Sequence, residues 1–292
     1  MVKFAHLRVD GQPTPRLATV IGDDALFLDD LLTDAPRDLQ DLIERGPDAL
    51  DEVRAAVATA VDRGAPTTPV AELRHSSAVL RPAQVLAIGA NYAAHASELK
   101  LRSESAMTIF SLWPNSLTGH GQTTEWAGDV ATQVDYEAEL GVIIGTAAKD
   151  VSPVDALDHV WGYTVVNDIT ARDIQFSEAQ WSRCKSFDGF TPTGPVVVTA
   201  DEIADPQDLW LTTNLDGHIL QDASTNEMVR SVAEIISYLS KTATLPPGTL
   251  ISTGSPGGAG YSRNPQVFLK DGSTVTVSIE GIGSLTTHCR VV

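Results

Sequence analysis

The acidic stretch that organises this sequence reads Val134-Asp135-Tyr136-Glu137-Ala138-Glu139-Leu140-Gly141-Val142-Ile143-Ile144-Gly145. Successive side chains of a strand point to opposite faces, so Asp135, Glu137 and Glu139 are predicted to share one face, while the Val-Ile-Ile run after them is buried. Carboxylates crowded beside a core repel one another and tend to protonate unless a cation or a donor balances them. Taken alone, the pattern fits a solvated acidic face as well as a cation site.

A second apolar segment also ends in an acid: Trp161-Gly162-Tyr163-Thr164-Val165-Val166-Asn167-Asp168. This pattern predicts a buried strand with Asp168 at its end. Two strand ends that deliver Glu137, Glu139 and Asp168 form an all-oxygen ligand set, which suits Mg²⁺, Mn²⁺ or Ca²⁺ rather than a thiolate-seeking metal. The second acid therefore favours the cation site over the solvated face.

Composition narrows the class of protein. The chain has 292 residues, 42% of them apolar, and a formal net charge of -18. Such acidity disfavours nucleic acid and anionic membranes as partners. Two cysteines are too few for a disulfide framework, and no apolar run approaches the ~20 residues that a membrane helix needs. We expect a globular protein of the reducing cytoplasm.

Residues 1–75 are predicted to form a small α+β unit, and residues 76–292 the main domain. Leu50, Val53, Val57 and Val61 recur at helical spacing, and Gly64 is predicted to end that helix. The dipeptide Asp216-Gly217 predicts a tight hairpin. A helix is expected after Ser152-Pro153, another over residues 232–239, and a closing hairpin from the alternating apolar residues 275–279.

His95 and Glu98 follow an apolar strand that closes on Gly89. Three residues apart on a helical turn, they lie on one face, so the carboxylate can orient the imidazole and raise its basicity. The alternative is an ordinary surface pair. Ligand sites gather at loops after strands, which improves the case for function.

Helical spacing also relates Asp168, Arg172 and Gln175, which are predicted to share a helix face. A guanidinium suits a substrate carboxylate, and an amide suits a carbonyl or hydroxyl. The alternative is a surface arginine paired with Asp168 or Asp173. Lys185, in a loop flanked by aromatic residues, can stabilise a developing oxyanion, although most lysines are simply solvated.

Several motifs resemble, in order, those of the fumarylacetoacetate hydrolase family, and the similarity covers nearly the whole chain. The matching segments are Ile88-Gly89-x-Asn91-Tyr92-x-x-His95-x-x-Glu98, Asp135-Tyr136-Glu137-x-Glu139-Leu140, Gly162-Tyr163-x-x-x-Asn167-Asp168-x-x-x-Arg172-Asp173-x-Gln175, Lys185-Ser186-Phe187-Asp188 and Thr253-Gly254-Ser255-Pro256.

The resemblance implies an α+β fold: a mixed, mostly antiparallel β-roll with a small N-terminal α+β domain, assembled as a homodimer. It implies Mg²⁺ as cofactor, with Mn²⁺ or Ca²⁺ as substitutes, and places the catalytic dyad on a mobile lid. It also assigns residues to three roles: metal ligands Glu137, Glu139 and Asp168; catalytic residues His95, Glu98 and Lys185; substrate-binding residues Arg172, Gln175 and Ser255.

The sequence departs from the family pattern at two positions. Leu112 stands where acylpyruvase-like members often carry a lysine, which suggests a more apolar or bulkier acyl tail. Ser255 replaces the usual threonine but keeps a hydroxyl.

The resulting hypothesis is hydrolysis of a carbon-carbon bond in a 2,4-diketo acid, such as an acylpyruvate or a fumarylacetoacetate-like compound, through a metal-bound enolate. Decarboxylation of a 2-oxo diacid and keto-enol isomerisation in aromatic-compound degradation use the same parts and stay open. A non-catalytic protein stabilised by Ca²⁺ is the distant alternative.

Overall fold

A computed structural model describes residues 2–99 and 107–292. The first part of the chain contains β1 (Lys3–Arg8), β2 (Arg16–Ile21), β3 (Asp24–Phe27), α1 (Leu28–Leu31), α2 (Leu39–Arg45), α3 (Pro47–Asp62), β4 (Thr68–Pro69) and β5 (Arg74–His75). The middle part contains β6 (Val85–Gly89), α4 (Ala93–Glu98), β7 (Thr108–Ser111), β8 (Leu117–Thr118), β9 (Gln122–Trp126), β10 (Val134–Asp135), β11 (Ala138–Ile144), β12 (Val160–Asn167), β13 (Thr170–Ala171), α5 (Arg172–Ser177) and β14 (Thr191–Thr199).

The last part contains β15 (Trp210–Leu215), β16 (His218–Ser224), α6 (Val232–Thr242), β17 (Leu250–Ser252), β18 (Thr274–Ile279) and β19 (Gly283–Val291). Short 3₁₀ helices occupy Val70–Glu72, Pro114–Ser116, Ala156–His159, Arg183–Lys185, Ala200–Glu202, Thr225–Glu227 and Gly260–Ser262. Strands thus predominate, and the predicted α+β class is confirmed.

Two large sheets organise the described residues. The larger has the strand order β4-β3-β2-β1-β14-β12-β11-β17-β6-β7. In addition, β5 pairs with β1 and β8 pairs with β14. The second has the order β16-β15-β18-β19-β9, and β10 pairs separately with β13. Most neighbouring strands are antiparallel, whereas β17 with β6, β14 with β8 and β19 with β9 are parallel.

Strand β11 shows how the fold directs acidic side chains away from the core. Leu140, Val142 and Ile144 point to one face and join the apolar core that also contains β18 and α6 residues. Ile143 points to the other face, into a second core built with the N-terminal helices. Glu139 has the same parity as Ile143, so its carboxylate is turned away from the first core.

Local sequence signals account for several elements. Helix α6 begins with a capping box, in which Ser231 and Glu234 each bond the other's backbone nitrogen. The predicted hairpin joins β15 to β16, and both turn residues, Asp216 and Gly217, have positive φ, as a type I′ turn requires. The helix predicted to end at Gly64 is α3, and the closing hairpin is β18 with β19.

Three local expectations were wrong. The acidic stretch is not one strand, because it is divided into β10 and β11, and Glu137 lies between them. Asp168 lies in the link before β13, ahead of the helix that carries Arg172 and Gln175. After Ser152 only a 3₁₀ helix forms, and the serine hydroxyl bonds the Asp155 carboxylate instead of a backbone nitrogen.

The N-terminal region shares the large sheet with the rest of the chain, because Lys3 and Phe4 of β1 pair with Val198 and Val197 of β14. The domain boundary at residue 75 stays a prediction. Among the residues that the structure describes, no helix combines the length and apolarity needed to cross a bilayer.

Candidate metal centre and active site

Three buried carboxylates meet where β11 begins and β12 ends. Ala138 of β11 pairs with Asn167 of β12, so Glu137, Glu139 and Asp168 are brought together across this antiparallel pair. One carboxylate oxygen from each lies within 4.8 Å of the others. Their exposures of 3%, 2% and 0% exclude the solvated acidic face.

The donor set fits a hard divalent cation. Asp168 Oδ1 is buried and has no hydrogen-bond partner, which is unfavourable unless a ligand occupies it. Glu139 is oriented because its Oε2 accepts from Ser252 Oγ at 2.5 Å and from Gly254 N at 2.9 Å. All-oxygen sites of this type bind Mg²⁺, Mn²⁺ or Ca²⁺.

Lys185 is held inside the acidic cluster. Its ammonium donates to Glu137 Oε2 at 2.7 Å, to Asp168 Oδ2 at 2.6 Å and to Thr170 Oγ1 at 2.8 Å. An ammonium has three protons, so all of its donors are committed. The side chain is therefore a buried counter-ion in this structure, and the solvated alternative is excluded.

Arg172 is fully buried and binds protein groups. Its Nε donates to Asp135 Oδ1 at 2.7 Å, one terminal nitrogen donates to Glu137 Oε1 at 2.6 Å, and the other donates to Gln175 Oε1 at 2.8 Å. A guanidinium only donates, so the Gln175 oxygen must face it and the amide nitrogen is turned away. Gln175 lines the cavity described below, whereas the Arg172 guanidinium is engaged by its three protein partners.

The histidine of α4 reaches the cluster directly. His95 Nε2 lies 3.0 Å from Glu137 Oε1, and its Nδ1 is buried without a hydrogen-bond partner. Glu98 Oε2 is 4.0 Å from that Nδ1, while both Glu98 oxygens accept from Gly258 N at 3.1 Å. The predicted dyad is close but not hydrogen-bonded.

Asn91 connects α4 to the strand ends that form the site. Its amide nitrogen donates to the Thr253 carbonyl at 2.8 Å and the Arg230 carbonyl at 3.0 Å, and its oxygen accepts from Arg230 N. The start of α4 is thus fixed against the loop after β17.

The three carboxyl groups have different pKa values because their electrostatic surroundings differ. Burial alone would raise the pKa of Glu137, but Arg172 and Lys185 outweigh it, so the pKa lies well below its usual value. Burial, with Asp168 and Glu137 nearby, raises the pKa of Glu139 well above its usual value. Burial also raises the pKa of Asp168 to about 6, against the effect of Lys185. One clearly ionised ligand and two that resist ionisation favour uptake of a cation.

A small cavity of about 10 Å³ lies over the cluster. One side is polar and includes the three carboxylates, His95, Gln175, Lys185 and Ser255. Ser255 Oγ accepts from Gln221 Nε2 at 2.8 Å, which fixes its hydroxyl. The other side is apolar and includes Ile88, Leu99, Phe110 and Trp181.

Sequence reasoning missed several of these residues. Thr170 and Ser252 hold Lys185 and Glu139, and Asp135 is fixed by Arg172 and by Tyr261 N at 2.8 Å. The alternating acidic pattern marked Asp135, but no local signal identified its partners. Leu112 is buried in the second core and does not line the cavity.

Comparison with known proteins identifies the family. The family model described as fumarylacetoacetate (FAA) hydrolase C-terminal matches residues 84–291. The chain belongs to the fumarylacetoacetate hydrolase family. The suggested kinship is therefore confirmed.

Two curated relatives of this family member differ in their named activities. One is a putative hydrolase of Burkholderia ambifaria, 41% identical over 261 residues that cover 86% of this chain and 91% of the relative. The other is a mitochondrial oxaloacetate tautomerase of Bos taurus, 37% identical over 250 residues that cover 85% and 78%.

Two solved structures of the family share the fold across the whole chain. A fumarylacetoacetate hydrolase from Exiguobacterium antarcticum has a TM-score of 0.86 and 34% identity, with 100% of each chain covered. A maleylpyruvate hydrolase from Sphingobium sp. SYK-6, in complex with manganese(II) and pyruvate, has a TM-score of 0.81 and 25% identity, with 99% of each chain covered. The protein is thus an enzyme of this family with an acidic metal-binding triad.

Proposed function

We propose that the protein hydrolyses a carbon-carbon bond in 2,4-diketo acids of the acylpyruvate class, and that it uses Mg²⁺ or Mn²⁺. The observation that carries this proposal is the position of His95, whose imidazole lies 3.0 Å from Glu137 and lines the same cavity as the acidic triad. A base beside a cation site is the arrangement that hydrolytic cleavage next to a carbonyl requires.

Glu137, Glu139 and Asp168 would hold the cation. It would supply a Lewis acid that stabilises the enolate left when the bond breaks. The Gln175 amide, with its nitrogen turned away from Arg172, can donate to a substrate oxygen. Ser255 lines the same wall and offers a second polar contact.

His95 is the proposed general base. Because Nε2 donates its proton to Glu137, the unpartnered Nδ1 would take the proton from water as the oxygen attacks the C4 carbonyl, and Glu98 would stabilise the imidazolium that forms. Collapse of the tetrahedral intermediate breaks the C3–C4 bond and yields a carboxylic acid and the enolate of pyruvate, which then takes a proton. A positioned base of this kind contributes ~10²- to 10⁴-fold.

Lys185 would stabilise the tetrahedral oxyanion. Because its three protons are committed to Glu137, Asp168 and Thr170, one of those bonds must be released first. A cation bound by the carboxylates would balance their charge in place of Lys185. Their hydrogen bonds to the ammonium would then weaken and leave it available to the oxyanion.

Keto-enol isomerisation is the second candidate. It is favoured by the 4.0 Å gap between His95 and Glu98, since proton transfer on carbon needs a base but no activated water. The relative named as an oxaloacetate tautomerase supports the same possibility. Decarboxylation of a 2-oxo diacid would use the same enolate stabilisation.

The test is a turnover assay on protein stripped with EDTA and then supplied with Mg²⁺ or Mn²⁺. Acetylpyruvate, fumarylpyruvate and the enol form of oxaloacetate are compared for the wild type, His95→Ala and the control His218→Ala, whose side chain is exposed. We expect metal-dependent hydrolysis by the wild type and the control, and its loss in His95→Ala with metal binding retained.

Each other outcome has a defined meaning. Conversion of enol-oxaloacetate to its keto form without diketone hydrolysis would replace the hydrolase with the isomerase. Pyruvate released from oxaloacetate alone would indicate the decarboxylase. Equal turnover by His95→Ala would overturn the role of that residue. The homodimer and the cytoplasmic location stay predictions, of which size-exclusion chromatography tests the first.

A further inference from the structure

The cavity in this form is too small to hold the proposed substrate. Its volume of about 10 Å³ is near the minimum for one water molecule, and an acylpyruvate is several times larger. One wall must therefore move before substrate binds. The identity of that wall defines where the acyl tail goes.

We infer that Trp181 occupies the acyl-tail subsite and is displaced by the tail, and that this subsite selects an apolar tail over a carboxylated one. The inference rests on the proposed function and deepens it, because it names the substrate class that the site prefers.

Close packing places the indole in the pocket. A Cβ added to Gly89 would lie 2.3 Å from Trp181 Cζ3, so the ring fills the space that a side chain at position 89 would need. The same indole packs edge-on against Phe110, with ring centroids 5.6 Å apart. Removal of the indole from this position opens a space of its own size between the two residues.

Two of the other apolar walls, Ile88 and Phe110, are fixed by the large sheet. Ile88 and Gly89 end β6, and β6 pairs with β7, where Ala87 stands opposite Phe110. Trp181 belongs to neither strand: it follows the exposed residues 176–180, between α5 and the next 3₁₀ helix, and is itself half-buried. Segments outside regular structure open at lower free energy than paired strands, so we expect Trp181 to yield before the walls that the sheet holds.

The chemistry of this space favours an apolar tail. Ile88, Leu99 and Phe110 provide its hydrocarbon surface. Lys185 Nζ lies 5.4 Å from the centre of the Phe110 ring, but once a cation loosens its bonds to the carboxylates, its ammonium would serve the C4 oxyanion rather than the tail. A carboxylate on the tail would lose water without gaining a free cationic partner among the lining residues.

The experiment uses 2-oxo acids that lack a 4-keto group and so cannot be hydrolysed: pyruvate, 2-oxoglutarate and 2-oxo-4-phenylbutanoate. Calorimetry on the Mg²⁺-loaded protein gives Kd, and tryptophan emission reports the indole. We expect 2-oxo-4-phenylbutanoate to bind about tenfold more tightly than 2-oxoglutarate, as burial of an apolar group predicts. It should also shift the emission to longer wavelength, whereas pyruvate should not.

Substitution of single residues shows which tryptophan produces the emission change. The emission change should vanish in Trp181→Phe and persist in Trp210→Phe, a control at a half-exposed tryptophan on β15. Gly89→Ala should displace the indole without any ligand, so its emission should already be shifted and respond little to 2-oxo-4-phenylbutanoate.

Failure of this inference can be distinguished from failure of the proposed function. Binding of all three acids with equal affinity, or an emission change that survives in Trp181→Phe, would overturn the inference and leave the hydrolase intact. Binding of none of them would overturn the proposed 2-oxo acid site, and the tail subsite with it.

Discussion

Lys185 Nζ lies 2.6 Å from Asp168 Oδ2, and the same ammonium bonds Glu137 on its other side. These two carboxylates are among the three that form the candidate metal site. The lysine therefore already supplies positive charge to the position where a divalent cation would bind. We therefore expect metal uptake to depend on this residue.

Replacement of Lys185 by Met is expected to destabilise the metal-free protein. The change leaves buried carboxylates without their cation, and breaking a buried ion pair in this way costs about 3–5 kcal/mol. Urea denaturation in EDTA measures the loss. Addition of Mn²⁺ should recover more stability in this variant than in the wild type, because the cation replaces the missing charge.

Lys270→Met provides the matched control, since Lys270 is exposed. It should leave both the stability in EDTA and the response to Mn²⁺ unchanged. An equal loss in the two variants would show that Lys185 does not act as the counter-ion.

Removal of a predicted metal ligand should abolish metal-dependent stabilisation. Glu139→Gln keeps the shape of the side chain and an oxygen to accept from Ser252 and Gly254, but it removes the charge. A cation at 100 times its Kd stabilises the wild type by about 2.7 kcal/mol, and this gain should disappear. Thermal unfolding with EDTA and with Mn²⁺ gives the comparison.

The exposed Glu280 supplies the control for that measurement. Glu280→Gln changes the net charge equally but should retain the full Mn²⁺ effect. Retention of the effect in Glu139→Gln would exclude that residue as a ligand.

Sequence patterns predicted the parts of the site that depend on local order. The apolar runs before Asp168 and after Glu139 are strands, and their antiparallel pairing brings the acids together. The spacing of Arg172 and Gln175 predicted a shared helix face, and the two side chains are hydrogen-bonded at 2.8 Å. Such features follow from periods of two and of about 3.6 residues.

Contacts between distant segments were not predictable in the same way. Alternation does not reveal that β10 bonds β13 while β11 bonds β12, so the break at Glu137 was missed. Asp135 is fixed by Tyr261 N, 126 positions away, through a backbone group that has no sequence signal. Trp181 is near Gly89 only because the tertiary fold brings the two segments together.

Arg172→Lys is expected to destabilise the protein although it retains the charge. The guanidinium bonds Asp135, Glu137 and Gln175 at once, and an ammonium on a different stem cannot reproduce that planar arrangement. Loss of a buried charge network costs about 3–5 kcal/mol, measured by urea denaturation.

Loss of the bond from Arg172 to Gln175 should also weaken substrate recognition, because the Gln175 amide is then no longer oriented. KM for a diketo acid should rise more than tenfold in Arg172→Lys. Arg183→Lys changes an exposed arginine that pairs with Glu178 and should alter neither quantity. Unchanged stability in Arg172→Lys would show that the guanidinium is not needed to hold its three partners together.

Two buried histidines should make the protein sensitive to mild acid. His6 accepts from Leu39 N at its Nε2, at 3.0 Å, and lies 3.1 Å from the Ser77 carbonyl through its Nδ1, which fixes a neutral tautomer. Burial lowers the pKa of His6 to about 4, although the Ser77 carbonyl acts against it. Burial, with His120 nearby, likewise lowers the pKa of His75 to about 4.

The sign of the effect follows from proton uptake. Between pH 4 and the unfolded pKa of about 6.5, the unfolded chain protonates these histidines while the folded chain keeps them neutral. Each of these histidines therefore lowers the free energy of unfolding as pH decreases through this window, with a limiting slope of about 1.4 kcal/mol per pH unit. The raised pKa of Asp168, about 6, acts in the opposite sense, so the test is the difference between a histidine variant and the wild type. His6→Gln removes one of the two histidines, so its slope should lack one histidine's contribution of about 1.4 kcal/mol per pH unit, whatever its stability at pH 7. His218→Gln, at an exposed position, should retain the slope of the wild type. An equal slope in His6→Gln and the wild type would show that folding does not lower the pKa of His6.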